Sequence, residues 1–139
     1  HIEEAIYARK YYGYGLAGEP FDREKLFQTV ETRIKQITED PIIIVHVEAE
    51  KEIIETRMNR LKGTAGHSNS PLSKNDIVEI QMEYNRLIDK STLGPVVRVN
   101  TSFDNPDQSL EKLVPLLETH FTEDDVRRIS SHMSNVCRQ

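Results

Sequence analysis

The chain has 139 residues, a length that suits one domain. Charged residues make up 29% and the net charge is −5. That balance weighs against a general binder of nucleic-acid polymers, whose phosphates ask for clustered lysine and arginine. A single cysteine, Cys137, excludes an internal disulfide and a cysteine-based zinc site.

No apolar run approaches the ~20 residues needed to span a bilayer, so no membrane partner is expected. No signal peptide is visible at the start. A reducing, cytoplasmic setting is therefore the expectation. Of the metal-ligating side chains His46, His67, His120, His132 and Cys137, only the last pair is closely spaced, and no metal site is expected.

Residues 1–12, HIEEAIYARKYY, place Ile2, Ala5 and Ile6 at helical spacing. Nothing before His1 caps that helix, and uncapped first-turn amides need partners. The expectation is a helix cut from a preceding segment. Residues 13–20, GYGLAGEP, form a loop. Tyrosines 7, 11, 12 and 14 gather around it, as packing residues or as an aromatic wall for a planar ligand.

Asp22 is placed to cap the next helix, with Phe21 and Leu26 at the positions of a hydrophobic staple. Leu26, Phe27, Val30, Ile34 and Ile37 form its apolar stripe, with Glu31, Arg33, Lys35 and Gln36 outside. Residues 42–47 are a continuous β-branched run, broken by His46. Such runs belong to parallel strands covered on both faces. The helix of residues 50–61 carries Ile53, Ile54, Met58 and Leu61 on one face. Arg57 falls inside that arc and Arg60 beside it. A charge on a buried face needs a partner, either a structural carboxylate or an arriving anion.

Residues 63–73, GTAGHSNSPLS, follow these arginines and Lys62. They read as a loop that closes on a substrate or as a plain linker. Ser73 and Asp76 resemble a capping box for a helix to about residue 89, with Ile77, Ile80, Gln81, Tyr84, Leu87 and Ile88 on one side. Residues 95–100 form a second short strand. Pro106 suits an early helical position, a helix is expected over 109–120, and Pro115 should kink or divide it. Thr122 and Asp125 begin a last helix of about ten residues, and 134–139 should fray.

Two strands joined by a long helical crossover should be parallel. Two short parallel strands do not make a stable covered sheet, so further strands are expected. The fold class is α/β, helix-rich, with a partial parallel sheet lacking its N-terminal strands.

The succession of a Tyr-rich helix, PIIIVHVEA, ETRMNRLK, a polar loop, IQMEYNRLI and VVRVNTS resembles the C-terminal half of P-loop nucleoside and nucleotide kinases. The deoxynucleoside kinase and thymidylate kinase group is the nearest likeness, over residues 1–121. The resemblance implies a three-layer α/β/α domain with a lid at 62–73, a nucleoside or nucleotide substrate, and ATP with Mg2+. It implies that Arg57 and Arg60 are catalytic and that Lys62 contacts the ATP phosphates. A planar guanidinium suits charge spread over a transferring phosphoryl group. It further implies that Thr101 and Ser102 lie near the adenine. His1, Glu4 and Tyr7 would face the phosphoryl acceptor, with Tyr11 and Tyr12 more distant.

The sequence departs from that pattern in one decisive respect. None of the six glycines is followed by lysine, so the phosphate-cradling G-x-x-x-x-G-K-[ST] is absent. The carboxylate–arginine pair expected before His1 is absent as well. The chain alone is therefore not expected to transfer phosphate. It would need a missing N-terminal segment or a homo-oligomer partner. The alternative is a non-catalytic α/β interaction module in which Arg57 pairs with a structural acid such as Glu50 or Glu83.

Overall fold

The computed structural model describes residues 2–39, 42–61 and 72–136. In chain order the elements are α1 (Ile2–Tyr11), α2 (Arg23–Ile37), β1 (Ile44–Glu48), α3 (Lys51–Leu61), a 3-10 turn (Lys74–Asp76), α4 (Ile77–Asp89), β2 (Val96–Asn100), α5 (Pro106–Glu118) and α6 (Glu123–Val136). The chain is α/β and helix-rich. Its two strands pair in parallel, in the register Ile44↔Val96 to Glu48↔Asn100.

The core is a three-helix contact. Ala5 and Ile6 of α1, Phe27 of α2, and Ile80 and Leu87 of α4 are buried together. Tyr7, Tyr11 and Tyr84 close its margin. Apolar burial on this scale is the main favourable term in folding. Polar groups then fix how the helices meet. Glu24 on α2 accepts from Arg86 Nη1 at 2.9 Å, Lys90 Nζ at 2.6 Å and Arg9 Nη1 at 3.2 Å. Hydrogen bonds from Arg86, then from Lys90, hold the Glu24 carboxyl at a pKa of about 2. One carboxylate thus ties α1, α2 and α4.

Helix ends follow their capping residues. Asp22 accepts from the amides of Glu24 and Lys25 at 3.0 and 3.2 Å. Asn105 and Gln108 exchange backbone-to-side-chain bonds at 3.0 and 2.9 Å, which starts α5 at Pro106, three residues before the expected position. Asp76 accepts from Ser73 N and Ser73 Oγ, and the 3-10 turn precedes α4. Thr122 and Asp125 cap α6, which runs to Val136, longer than the expected ten residues.

Several expectations are corrected. The first strand begins at Ile44 and is not covered on both faces, because Val45 and Val47 are 38% and 59% exposed. Their ladder neighbours Val97 and Val99 are 5% and 4% exposed, so the sheet is covered over β2 and open over β1. Pro115 does not divide α5. Lacking an amide hydrogen, it leaves the Glu111 carbonyl without its i+4 donor, and the helix runs on with that one backbone bond fewer. Phe21, Leu26 and Ile37 are exposed, so the staple is not a buried pair and the stripe of α2 is narrower than its apolar residues suggest.

Glu31, expected outside that stripe, is 1% exposed. Its carboxylate accepts from Ser91 Oγ at 2.6 Å and from the Thr92 amide at 2.8 Å. These bonds hold the turn between α4 and β2 against α2. Gly94 lies in that turn, where any Cβ would strike the carbonyl oxygen of Ile42. Glu31→Ala leaves the Ser91 hydroxyl and the Thr92 amide without their acceptor. It is expected to cost about 1–3 kcal/mol, read as a lower urea midpoint at unchanged slope. Glu31→Gln, which keeps an acceptor, should cost less.

Candidate functional site

The two strands end on the same side, and their carboxyl ends are tied into one polar clasp. Thr101 follows β2 and donates its amide to Glu48 O at 2.9 Å and its hydroxyl to the same oxygen at 3.2 Å. Ser102 Oγ accepts from the Glu50 amide at 2.8 Å, at the start of α3. Gln81 of α4 donates Nε2 to Ala49 O at 2.8 Å. Arg57 reaches back from the second turn of α3. Its Nη2 donates to Thr101 O at 2.6 Å and its Nη1 to Thr101 Oγ1 at 3.2 Å.

Arg57 is exposed, and its guanidinium is held by a backbone carbonyl and a hydroxyl, with no ion pair to a carboxylate among the described residues. That accounts for a charged residue inside the apolar arc of α3. Thr101 and Ser102 are buried members of the clasp, not surfaces open to a base. Arg60 is exposed on the last turn of α3, and it forms no ion pair among the described residues. Lys62 and His1 lie outside the described residues, as does the lid-like segment 62–71.

The tyrosines do not make one wall. Tyr7 and Tyr11 stack with ring centres 5.6 Å apart, and Tyr12 and Tyr14 form a separate tilted pair at 6.3 Å. Tyr11 donates its hydroxyl to Asp76 Oδ2 at 2.9 Å, which makes it a strut between α1 and the start of α4. Tyr12 is exposed. Glu4 turns to the loop after α1, where Tyr14 OH and Arg23 reach it at 3.4 and 3.5 Å. Of the residues expected to face an acceptor, Tyr7 alone among those described lines a groove.

That groove has a volume of about 840 Å³ and runs between α1, β1, α3 and α4. Ile2, Ile54 and Ile80 give it apolar walls, and Tyr7, Gln81 and Tyr84 add polar tips. Burial raises the pKa of Tyr7 and Tyr84, so both hydroxyls are neutral and able to donate. The groove has the size and mixed lining of a small-molecule site.

A second cluster stands at its edge and was not legible from local sequence. The ladder sets His46 opposite Arg98. Arg98 Nη1 meets His46 Nδ1 at 2.7 Å, Glu48 Oε1 at 2.9 Å and Asn85 Oδ1 at 2.5 Å, and Nη2 reaches Asp89 at 2.7 Å. Three acceptors share the two hydrogens of Nη1, so the set is a shared network. Arg98 can donate to Nδ1 only when His46 is neutral with its proton on Nε2. The signal was the strand register, which pairs residues 52 positions apart.

Among the described residues no group of three or more His, Cys, Asp or Glu side chains is arranged to hold a metal ion. Among them, too, no helix is long and apolar enough to cross a membrane. Comparison with protein-family models, curated proteins and solved structures finds no match for this chain.

Burial pushes the His46 imidazole below its ordinary pKa, with Glu48 pulling the other way. The folded form then takes up protons less readily than the unfolded chain. Its contribution to stability is present above the unfolded value of about 6.5 and drains away as pH falls below it. His46→Gln keeps an acceptor for Arg98 and removes the titration. Urea denaturation between about pH 7.5 and pH 5.5 is expected to show a smaller acid-side loss in the variant than in the wild type.

Proposed function

We propose that this chain is the C-terminal part of an ATP-dependent nucleoside or nucleoside-monophosphate kinase, inactive by itself. The observation that carries the proposal is the position of α3. It leaves the carboxyl end of a parallel strand, the side on which open α/β sheets bind their ligands. It ends in an exposed arginine directly before the Gly/Ser-rich segment. The wider resemblance to P-loop nucleotide kinases of the deoxynucleoside and thymidylate type, with its three-layer architecture, rests on the same succession of elements.

In this reading the two arginines divide the work. Arg57 is fixed to Thr101 and positions the last turns of α3 against the strand ends. Arg60, one turn further on, is free to meet phosphate oxygens. As the γ-phosphorus parts from the bridging oxygen of ADP and bonds to the acceptor oxygen, negative charge spreads over the transferring group. A guanidinium there stabilises it. The cradle for the β- and γ-phosphates comes from outside this sequence, which contains no G-x-x-x-x-G-K-[ST].

A second reading has its own observation. Both terminal nitrogens of Arg57 are engaged by Thr101, and Arg86 and Arg98 are bonded to carboxylates. A non-catalytic α/β interaction module would use its arginines in this way.

The two readings separate in an assay. Residues 1–139 are expected to show no ATP turnover with nucleosides or nucleoside monophosphates. Joined to the longer protein that carries the phosphate cradle, the chain should support turnover, and Arg60→Ala should lower kcat by about 10²–10³-fold with circular dichroism unchanged. Turnover by residues 1–139 alone, or an Arg60→Ala enzyme at wild-type kcat, would overturn the proposal.

A further inference from the structure

Three atoms of the cluster at the groove edge stand in one triangle. Arg98 Nη1 lies 2.7 Å from His46 Nδ1 and 2.9 Å from Glu48 Oε1, and Nδ1 lies 3.2 Å from that same oxygen. The strands impose this closeness. Register sets His46 opposite Arg98, and Glu48, two residues further along β1, shares their face. Each atom is within bonding reach of the other two, yet the bonds cannot all exist together. Nδ1 accepts from Arg98 while it is bare and donates to Glu48 once it is protonated.

A proton on Nδ1 therefore changes which bonds the cluster can make. Two donors, both positively charged, then face one another across 2.7 Å. Each has another partner already in place. Glu48 Oε1 is within reach of Nδ1, and a charged imidazole bonds a carboxylate more strongly than a neutral one does. Arg98 is held from α4, where Nη1 meets Asn85 Oδ1 at 2.5 Å and Nη2 meets Asp89 Oδ1 at 2.7 Å.

We infer that this cluster is a proton-operated latch: a proton taken from solvent onto Nδ1 moves His46 from Arg98 to Glu48 and leaves the Arg98 guanidinium on α4. In the neutral state Arg98 bridges β1 and α4. In the acid state β1 keeps the His46–Glu48 pair, α4 keeps Arg98, and the bridge between them is released. His46 and Glu48 both line the groove, so its rim changes with the same proton. The charged groups around the ring are Glu48 on its own strand, Arg98 on β2 and Asp89 on α4. Glu3 of α1 and Glu50 before α3 line the same groove, and Tyr84 of α4 stacks on the ring at 6.5 Å. Glu48 and Asp89 favour the proton, while burial and Arg98 oppose it, burial most strongly. The exchange thus falls on the acid side of the ordinary imidazole value of about 6.5. This inference holds whether or not the chain handles phosphate.

The test is an NMR titration of residues 1–139 between about pH 7.5 and pH 5. At the upper end the His46 ring should carry its proton on Nε2, with Nδ1 bare. On acidification the Arg98 guanidinium, Asn85 amide and Glu48 carboxyl resonances should all move with the midpoint of His46. Glu48→Gln keeps an oxygen acceptor and removes the negative charge. It should weaken proton binding at His46 by about tenfold. His46→Gln should abolish the movements of Arg98 and Asn85 over this range. Arg98 resonances that stay fixed while His46 titrates would overturn the inference. So would an unchanged His46 midpoint in Glu48→Gln, or Arg98 and Asn85 movements that persist in His46→Gln.

Discussion

The clasp at the carboxyl ends of the strands is the constraint on which the rest depends. Two five-residue parallel strands form a weak ladder, and parallel pairs cannot be closed by a tight turn. Here the ladder is locked where β1 gives way to α3 and β2 to the loop before α5. Thr101 bonds Glu48 O, Ser102 bonds the Glu50 amide, and Arg57 spans back to Thr101. Each contact joins residues more than forty positions apart, so the clasp forms only when the crossover has folded. Its buried polar groups are satisfied by one another, which fixes a single arrangement rather than a set of near-equivalent ones.

The other end of the crossover is held by α2, through carboxylates. Glu24 gathers Arg9, Arg86 and Lys90, and Glu31 holds Ser91 and the Thr92 amide. Glu24 is partly open to water, where a single ion pair contributes little. It draws its effect from serving three cations on two helices. Glu31 is buried, and there the cost of a missing partner dominates. The helical core and the sheet are therefore coupled at both ends of α4. The long amphipathic face of that helix lies between them.

Much of this architecture was legible in the sequence. The caps at Asp22 and Thr122 follow from side chains that bond amides two or three residues on, a local rule. The parallel pairing follows from β-branched runs separated by a crossover. The face of α4 follows from its period, since Ile77, Ile80, Leu87 and Ile88 are all buried. The misreadings share a cause. Glu31 was placed outside by polarity, because no periodic pattern shows that Ser91 and Thr92 will arrive sixty residues later. The run at 42–47 was read as a doubly covered strand from composition, but coverage depends on neighbours that composition does not contain. The tyrosines were grouped by nearness in sequence, whereas the 100° step of a helix and the turn after it send Tyr7 and Tyr12 to different surroundings. The cluster of Arg98 with His46 was missed because register is set by pairing, not by either strand alone.

Arg57 shows how far such a reading reaches. Its position on the helical wheel flagged a charge where a core residue was due, and two partners were weighed, an acid or an anion. The structure supplies a third, the carbonyl of Thr101. A guanidinium donating to a backbone oxygen remains fully charged, since the carbonyl brings no compensating unit of charge. The clasp therefore carries the charge of Arg57 at the carboxyl end of the sheet, beside the Ser102 and Glu50 backbone. In the kinase reading proposed here, the arginine that ties α3 to the end of β2 also adds positive charge on the side proposed to meet phosphate. Structural and electrostatic roles here do not compete for the residue. They use different properties of it, its hydrogens and its charge.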